Sequence, residues 1–139
     1  MIKSNCFIRV FSHFFSIMFH FRLEMKRPVP FAEIHGTADH TSEWDGDAEN
    51  KGGWGAYLGV EDAMNRVVKV NGCSFKDSTE IGSLRGDKGH NIIKYRYDGG
   101  KKGTEVWLYR VIGAPHCWHD KDIDIGEEEW KFFSKYLSK

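Results

Sequence analysis

The chain has 139 residues, 40% hydrophobic and 29% charged, with 20 basic and 20 acidic side chains and no net charge. That length sets one domain as the expectation, and that apolar content supplies a core and excludes an intrinsically disordered chain. The balanced charge lacks the basic surplus or stripe that marks a nucleic-acid-binding protein.

Met1 to Arg27 differs in character from everything after it. Lys3 and Arg9 precede a Phe-rich apolar run from Val10 to Phe21. The order is that of a secretory signal, but His13 and His20 interrupt the run and no small-x-small cleavage site follows. The run is also shorter than the ~20 apolar residues of a membrane-spanning helix. Residues 1–27 therefore read as an atypical apolar leader, signal-like or a non-native start, and residues 28–139 as the folded segment.

Pro28 and Pro30 lead into Phe31-Ala32-Glu33-Ile34-His35, a short run closed by Gly36 that predicts a strand. Glu33 inside that strand needs a partner or an edge position. His40 to Gly53 is polar and Gly-bearing, a predicted loop with Trp44 in its middle. Trp54, Tyr57, Leu58, Met64, Val67 and Val68 recur at spacings of three and four, broken only by Glu61. They predict one helix face, stopped by Asn71-Gly72. Thr79 to Leu84 and Asn91 to Tyr97 predict two strands around a Gly-bearing, charged turn. Ile93, Tyr95 and Tyr97 alternate there with Lys94 and Arg96, as in a half-exposed strand. Glu105 to Ile112 predicts a strand buried on much of both faces. Asp124-x-x-Glu127 predicts a capped helix start, with Lys131, Lys135 and Lys139 toward the far end and Trp130, Phe133 and Leu137 as the apolar face.

Strand, helix, hairpin, strand, helix is the order of an α/β layer arrangement, whose functional loops lie beyond the carboxyl ends of the strands. Two such loops carry chemistry: His35-Gly36-Thr37-Ala38-Asp39 and Gly113-Ala114-Pro115-His116-Cys117-Trp118. Asp39 followed by His116 is the back half of the Ser…Asp…His order of α/β-hydrolases. An Asp on one imidazole nitrogen holds the tautomer of a general base and stabilises the imidazolium it becomes. The plainer reading makes Asp39 a loop cap and His116 an ordinary histidine. Gly-x-Ser-x-Gly occurs nowhere in these residues. The cysteines, Cys6, Cys73 and Cys117, have no metal-type spacing. Cys117, as the neighbour of His116, is badly directed to be its nucleophile. His35, Asp39, His40, His116 and His119 lack the spacing of a helical zinc site, so no metal or other cofactor is expected.

From about Arg27 onward the ordered set of motifs resembles the C-terminal portion of the feruloyl esterase and polyhydroxybutyrate depolymerase-like branch of α/β-hydrolases. Pro28-Val29-Pro30 before His35-Gly36-Thr37-Ala38-Asp39, Asn71-Gly72-Cys73, Glu105 to Tyr109, Gly113 to Trp118 and Glu129 to Phe133 carry the resemblance in that order. It implies a mostly parallel sheet flanked by helices, truncated before the nucleophile elbow. It implies Asp39 as triad acid, His116 as base, and an esterase that is inactive alone for want of its Ser. Trp44 and Trp118 would line the site of a small-molecule or polysaccharide-linked ester. The family's habit implies a secreted or periplasmic protein, and the missing cysteine near Asp98 implies an unpaired Cys73. Pro115, where that family has a small residue, and Glu33, in a normally apolar strand, depart from its pattern. The competing expectation is a non-catalytic carbohydrate-binding or scaffold module derived from a hydrolase.

Overall fold

The computed structural model describes Arg9, Val10, Met25 and residues 27–137; of the first two only the backbone is described. The rest of the predicted leader lies outside the described residues. The strands are β1 (Arg9–Val10), β2 (Phe31–Gly36), β3 (Gly46–Asp47), β4 (Tyr57–Leu58), β5 (Ser74–Ile81), β6 (Asn91–Asp98) and β7 (Val106–Ile112). The helices are α1 (Val60–Asn71) and α2 (Ile125–Leu137). Among the described residues no helix is long and apolar enough to cross a membrane.

One five-stranded sheet runs in the order β1-β2-β7-β6-β5. β1, β2 and β7 are parallel, whereas β6 pairs antiparallel with both β7 and β5. The sheet is therefore mixed α/β, not mostly parallel as expected. The reason lies in the connections. Residues 82–90 and 99–105 are too short to cross over the sheet, so they reverse the chain, whereas β2 and β7 are separated by α1 and the hairpin.

The two sheet faces are buried under different helices. Val60, Met64 and Val67 of α1 pack with Phe31, Val106 and Leu108, joined by Trp44 and Tyr57. Phe132 and Phe133 of α2 pack with Ile92, Trp107, Tyr109 and Val111. Alternate residues of β7 thus enter both cores, as its apolar run predicted. Asn71, fully buried, accepts from the Val29 N–H at 3.0 Å and donates to the Val29 carbonyl at 2.7 Å, tying the end of α1 to the approach to β2. Gly72 stops α1 at φ 69°, in the left-handed region that glycine enters without steric cost, as the sequence predicted.

Three details depart from the sequence pattern. The α1 helix begins at Val60, not at Trp54, because Gly53 (φ 78°) and Gly55 (φ 98°) break the run and Tyr57 and Leu58 pair with Asp47 and Gly46 instead. A Cβ on Gly59 would stand 2.9 Å from the backbone of Asp45, so glycine is what lets this small ribbon close. On α2, Trp130 and Leu137 are exposed and the buried residues are Phe132 and Phe133.

The third departure explains the second. Glu128 occupies the inward face of α2, where its Oε2 accepts from Lys94 Nζ at 2.8 Å and from the Tyr109 hydroxyl at 2.6 Å. Lys94 lies under α2 and over the Trp107 ring at 3.5 Å and is largely covered, while Arg96 beyond it stays 34% exposed, so β6 is half-exposed as predicted except where α2 crosses it. Burial works against the Glu128 anion, but hydrogen bonds from Lys94, Tyr109 and Lys131 outweigh it and pull its pKa down to about 2. Burial also lowers the pKa of Lys94, which offsets part of what the pair contributes. The helix start is as predicted: the Glu127 N–H donates to Asp124 Oδ1 at 2.9 Å.

An acid-sensitivity follows. Glu128 and Asp122, both held at about 2, bind protons more weakly folded than unfolded. Their stabilisation is present above the ordinary carboxylate range and is lost as pH falls toward 2. Urea midpoints are expected to drop between about pH 5 and pH 2, with a shallower drop in Glu128→Gln. An unchanged slope in that variant would assign the sensitivity elsewhere.

Candidate active site

β2 and β7 are parallel neighbours in register, with Gly36 opposite Val111, so their C-terminal loops emerge side by side. Backbone bonds lock the loops together. The Thr37 N–H donates to the Val111 carbonyl and the Ala38 N–H to the Ala114 carbonyl, both at 3.0 Å, and the Gly113 N–H donates to Thr37 Oγ1 at 2.8 Å. Gly36 lies at the centre of this clamp. A Cβ there would fall 2.3 Å from the Ala114 carbonyl oxygen.

Asp39 and His116, 77 residues apart in sequence, meet on this clamp with Oδ2 and Nδ1 separated by 2.7 Å. The Asp39 side chain is fully buried and that of His116 is 26% exposed. Asp39 Oδ1 accepts from the N–H groups of Thr41 at 2.8 Å and Ser42 at 2.9 Å, an Asx-type turn that fixes the carboxylate from behind. Burial works against the anion, but the Ser42 amide, His116 and the Thr41 amide together hold its pKa below the ordinary carboxylate range. An ionised Asp39 accepts from His116 Nδ1–H, which leaves Nε2 as the acceptor of the neutral ring.

The candidate aromatic residues divide. Trp118 is 64% exposed, two residues beyond His116. Trp44 is not a cleft residue. It is buried in the α1-side core, edge-on to the His35 ring at 6.0 Å and beneath the Arg110 guanidinium at 5.0 Å. Its loop folds back so that the Val60 N–H donates to the Trp44 carbonyl at 2.8 Å, and the indole follows inward. A cavity of about 300 Å³ lies beside the Asp39 turn, with Thr41, Glu43, Tyr57 and the half-exposed Trp54 in its wall.

Sequence reasoning placed no role on His35. Its ring lies between two carboxylates: Nδ1 is 3.4 Å from Glu33 Oε1 and Nε2 is 3.6 Å from Asp39 Oδ2. Nε2 also lies 2.8 Å from the Ser42 carbonyl, to which it donates. Burial alone would push His35 down, but Glu33, the Ser42 carbonyl and Asp39 outweigh it and raise its pKa above the ordinary imidazole range. Glu33 is thus the partnered strand carboxylate that its position demanded, though its Oε2 is buried with no hydrogen-bond partner among the described residues.

His119 has the opposite character. Burial first, and the charge of His35 second, lower its pKa to about 4. Neutral at pH 7, its Nδ1 lies 3.3 Å from Cys117 Sγ, so Cys117 is engaged away from His116. Cys73 and Cys117 are both free thiols, and Cys73 donates to the Thr104 carbonyl at 3.3 Å. A second imidazole–carboxylate contact joins His90 Nδ1 to Asp122 Oδ2 at 2.7 Å, with Ser83 Oγ donating to the other oxygen of that carboxylate at 2.6 Å. Among the described residues no group of three or more His, Cys, Asp or Glu side chains is arranged to hold a metal ion. No protein-family model matches the chain, and no curated protein matches it.

Proposed function

We propose that Asp39 and His116 are the acid and base of a carboxylic ester hydrolase, and that this chain is the C-terminal part of a feruloyl esterase or polyhydroxybutyrate depolymerase-like α/β-hydrolase. The observation that carries the reading is the 2.7 Å contact between Asp39 Oδ2 and His116 Nδ1, made by loops at the carboxyl ends of adjacent parallel strands. In this reading His116 Nε2 takes the proton of a serine hydroxyl as its oxygen attacks the ester carbonyl. Asp39 stabilises the imidazolium, which then protonates the departing alcohol, and water releases the acyl group by the same route. The serine belongs to a nucleophile turn outside these 139 residues, together with the donors that stabilise the oxyanion. Lacking both, the chain alone is expected to be slower than the complete enzyme by several orders of magnitude. The ester sits against Trp118, whose exposed ring suits a phenolic or sugar-linked group.

The test is a chimera in which residues 28–139 replace the corresponding segment of a feruloyl esterase, assayed with methyl ferulate and p-nitrophenyl acetate. Hydrolysis that is lost in His116→Ala is expected. A folded chimera without His116-dependent hydrolysis would overturn the reading. So would the 139-residue chain turning over these esters at ordinary enzyme rates.

A further inference from the structure

We propose that Glu33 and His35 are a buried positioning pair for Asp39: Glu33 holds His35 as an imidazolium, and His35 clamps the turn that carries the triad acid. The pair's catalytic meaning rests on the hydrolase reading; its charge state and its grip on the turn do not.

The argument begins with hydrogen-bond capacity. His35 faces oxygen acceptors at both nitrogens: Glu33 Oε1 at Nδ1, and the Ser42 carbonyl with Asp39 Oδ2 at Nε2. A neutral imidazole has one N–H. Whichever tautomer it took, one lone pair would point at an oxygen in a site where both side chains are 2% exposed. A second proton on the ring satisfies both directions. The surrounding charges divide unequally. Glu33 on β2 and Asp39 in the following turn favour the cation at 3.4 and 3.6 Å. Arg110, opposite His35 in the β7 register, opposes it, but its guanidinium lies over Trp44 and pairs with Glu61 of α1 at 3.5 Å. His119, from the loop after β7, is uncharged at neutral pH.

The positional role follows from Ser42. Its N–H donates to Asp39 Oδ1 and its carbonyl accepts from His35 Nε2, so one peptide residue is held from both ends. The turn that aims Asp39 at His116 is thereby fastened to the β2 strand from which it departs. Glu33 is an odd residue for that strand unless it has this task, since a buried carboxylate without a cation is costly.

Imidazole nitrogen NMR on the full chain tests the pair. At pH 7 wild-type His35 is expected to show both nitrogens protonated. Glu33→Gln keeps the shape and lets the amide N–H donate to Nδ1, so His35 should become the neutral Nε2–H form. Its titration midpoint should fall by more than about one unit, a tenfold loss of proton affinity. Amide hydrogen exchange at Ser42 reads the clamp. His35→Ala should speed it by about tenfold or more, and His35→Gln, which retains an N–H for the Ser42 carbonyl, should restore protection. A neutral wild-type His35 at pH 7, with the proton on Glu33, would overturn the charged pair. An unmoved midpoint in Glu33→Gln would do the same, and unchanged Ser42 exchange in a folded His35→Ala chain would overturn the clamp. These readouts need no ester hydrolysis, so an inactive chimera would remove the hydrolase reading and leave the pair standing.

Discussion

Asp39→Asn is expected to lower kcat of the methyl ferulate-hydrolysing chimera by about four orders of magnitude while leaving the fold in place. The substituted side chain keeps one carbonyl oxygen, and that oxygen can still accept from the amides of Thr41 and Ser42, the two bonds that shape the turn. The other position becomes an NH₂ group 2.7 Å from His116 Nδ1, a donor where the ring presents a donor. The contact survives only if the imidazole moves its proton to Nε2, which in the proposed mechanism is the atom that accepts the nucleophile's proton. The base is then present, correctly placed and in the wrong tautomer. Stopped-flow hydrolysis and His116 nitrogen shifts measured on the same sample check both halves. Full activity with an Nε2-protonated ring would remove Asp39 from the mechanism, and loss of activity through unfolding would appear in the melting curve.

Gly36→Ala is expected to cost about 3 kcal/mol, the upper end of ordinary overpacking, and to lower Tm by roughly 10 °C in a domain of this size. The added Cβ would lie 2.3 Å from the Ala114 carbonyl oxygen, 2.8 Å from its carbon and 2.9 Å from the Pro115 carbonyl oxygen. These are backbone atoms, fixed by the bonds from Thr37 and Ala38 into Val111 and Ala114, so no side chain can swing aside. Relief requires the two loops to separate, which also parts Asp39 from His116. Gly82→Ala is the control, because nothing lies within 4 Å of a Cβ there. A Gly36→Ala chain melting with Gly82→Ala would show that the loops yield cheaply.

Elements whose signals are local were legible in the sequence. The alternation around Tyr95, the apolar run of β7, the Asn71-Gly72 stop and the Asp124 cap all depend on neighbours a few residues away. Asp39 and His116 were legible because each follows a strand end, and parallel pairing of those strands brings the ends together. What the pattern could not carry was the partnering of charged groups across the fold. Glu128 on the inward face of α2 shifted the apparent apolar stripe toward Trp130 and Leu137, and only Lys94 and Tyr109 from the sheet explain its place. His35 likewise looked like one histidine among seven. Its meaning depends on Glu33 two residues before it and on a carbonyl seven residues after it. Trp44 was misread for a related reason. A polar loop composition says that the loop is at the surface, but not that each of its side chains is.

His90 on Asp122 repeats the atoms and the 2.7 Å spacing of His116 on Asp39, in a place that the hairpin and the approach to α2 build instead of the two parallel strand ends. The molecule therefore contains its own reference histidine. A chemical label or spectral shift that responds merely to an imidazole resting on a carboxylate will report both rings alike. Whatever distinguishes them, in reaction rate or in response to an ester analogue, measures what the β2 and β7 loops add beyond that shared bond.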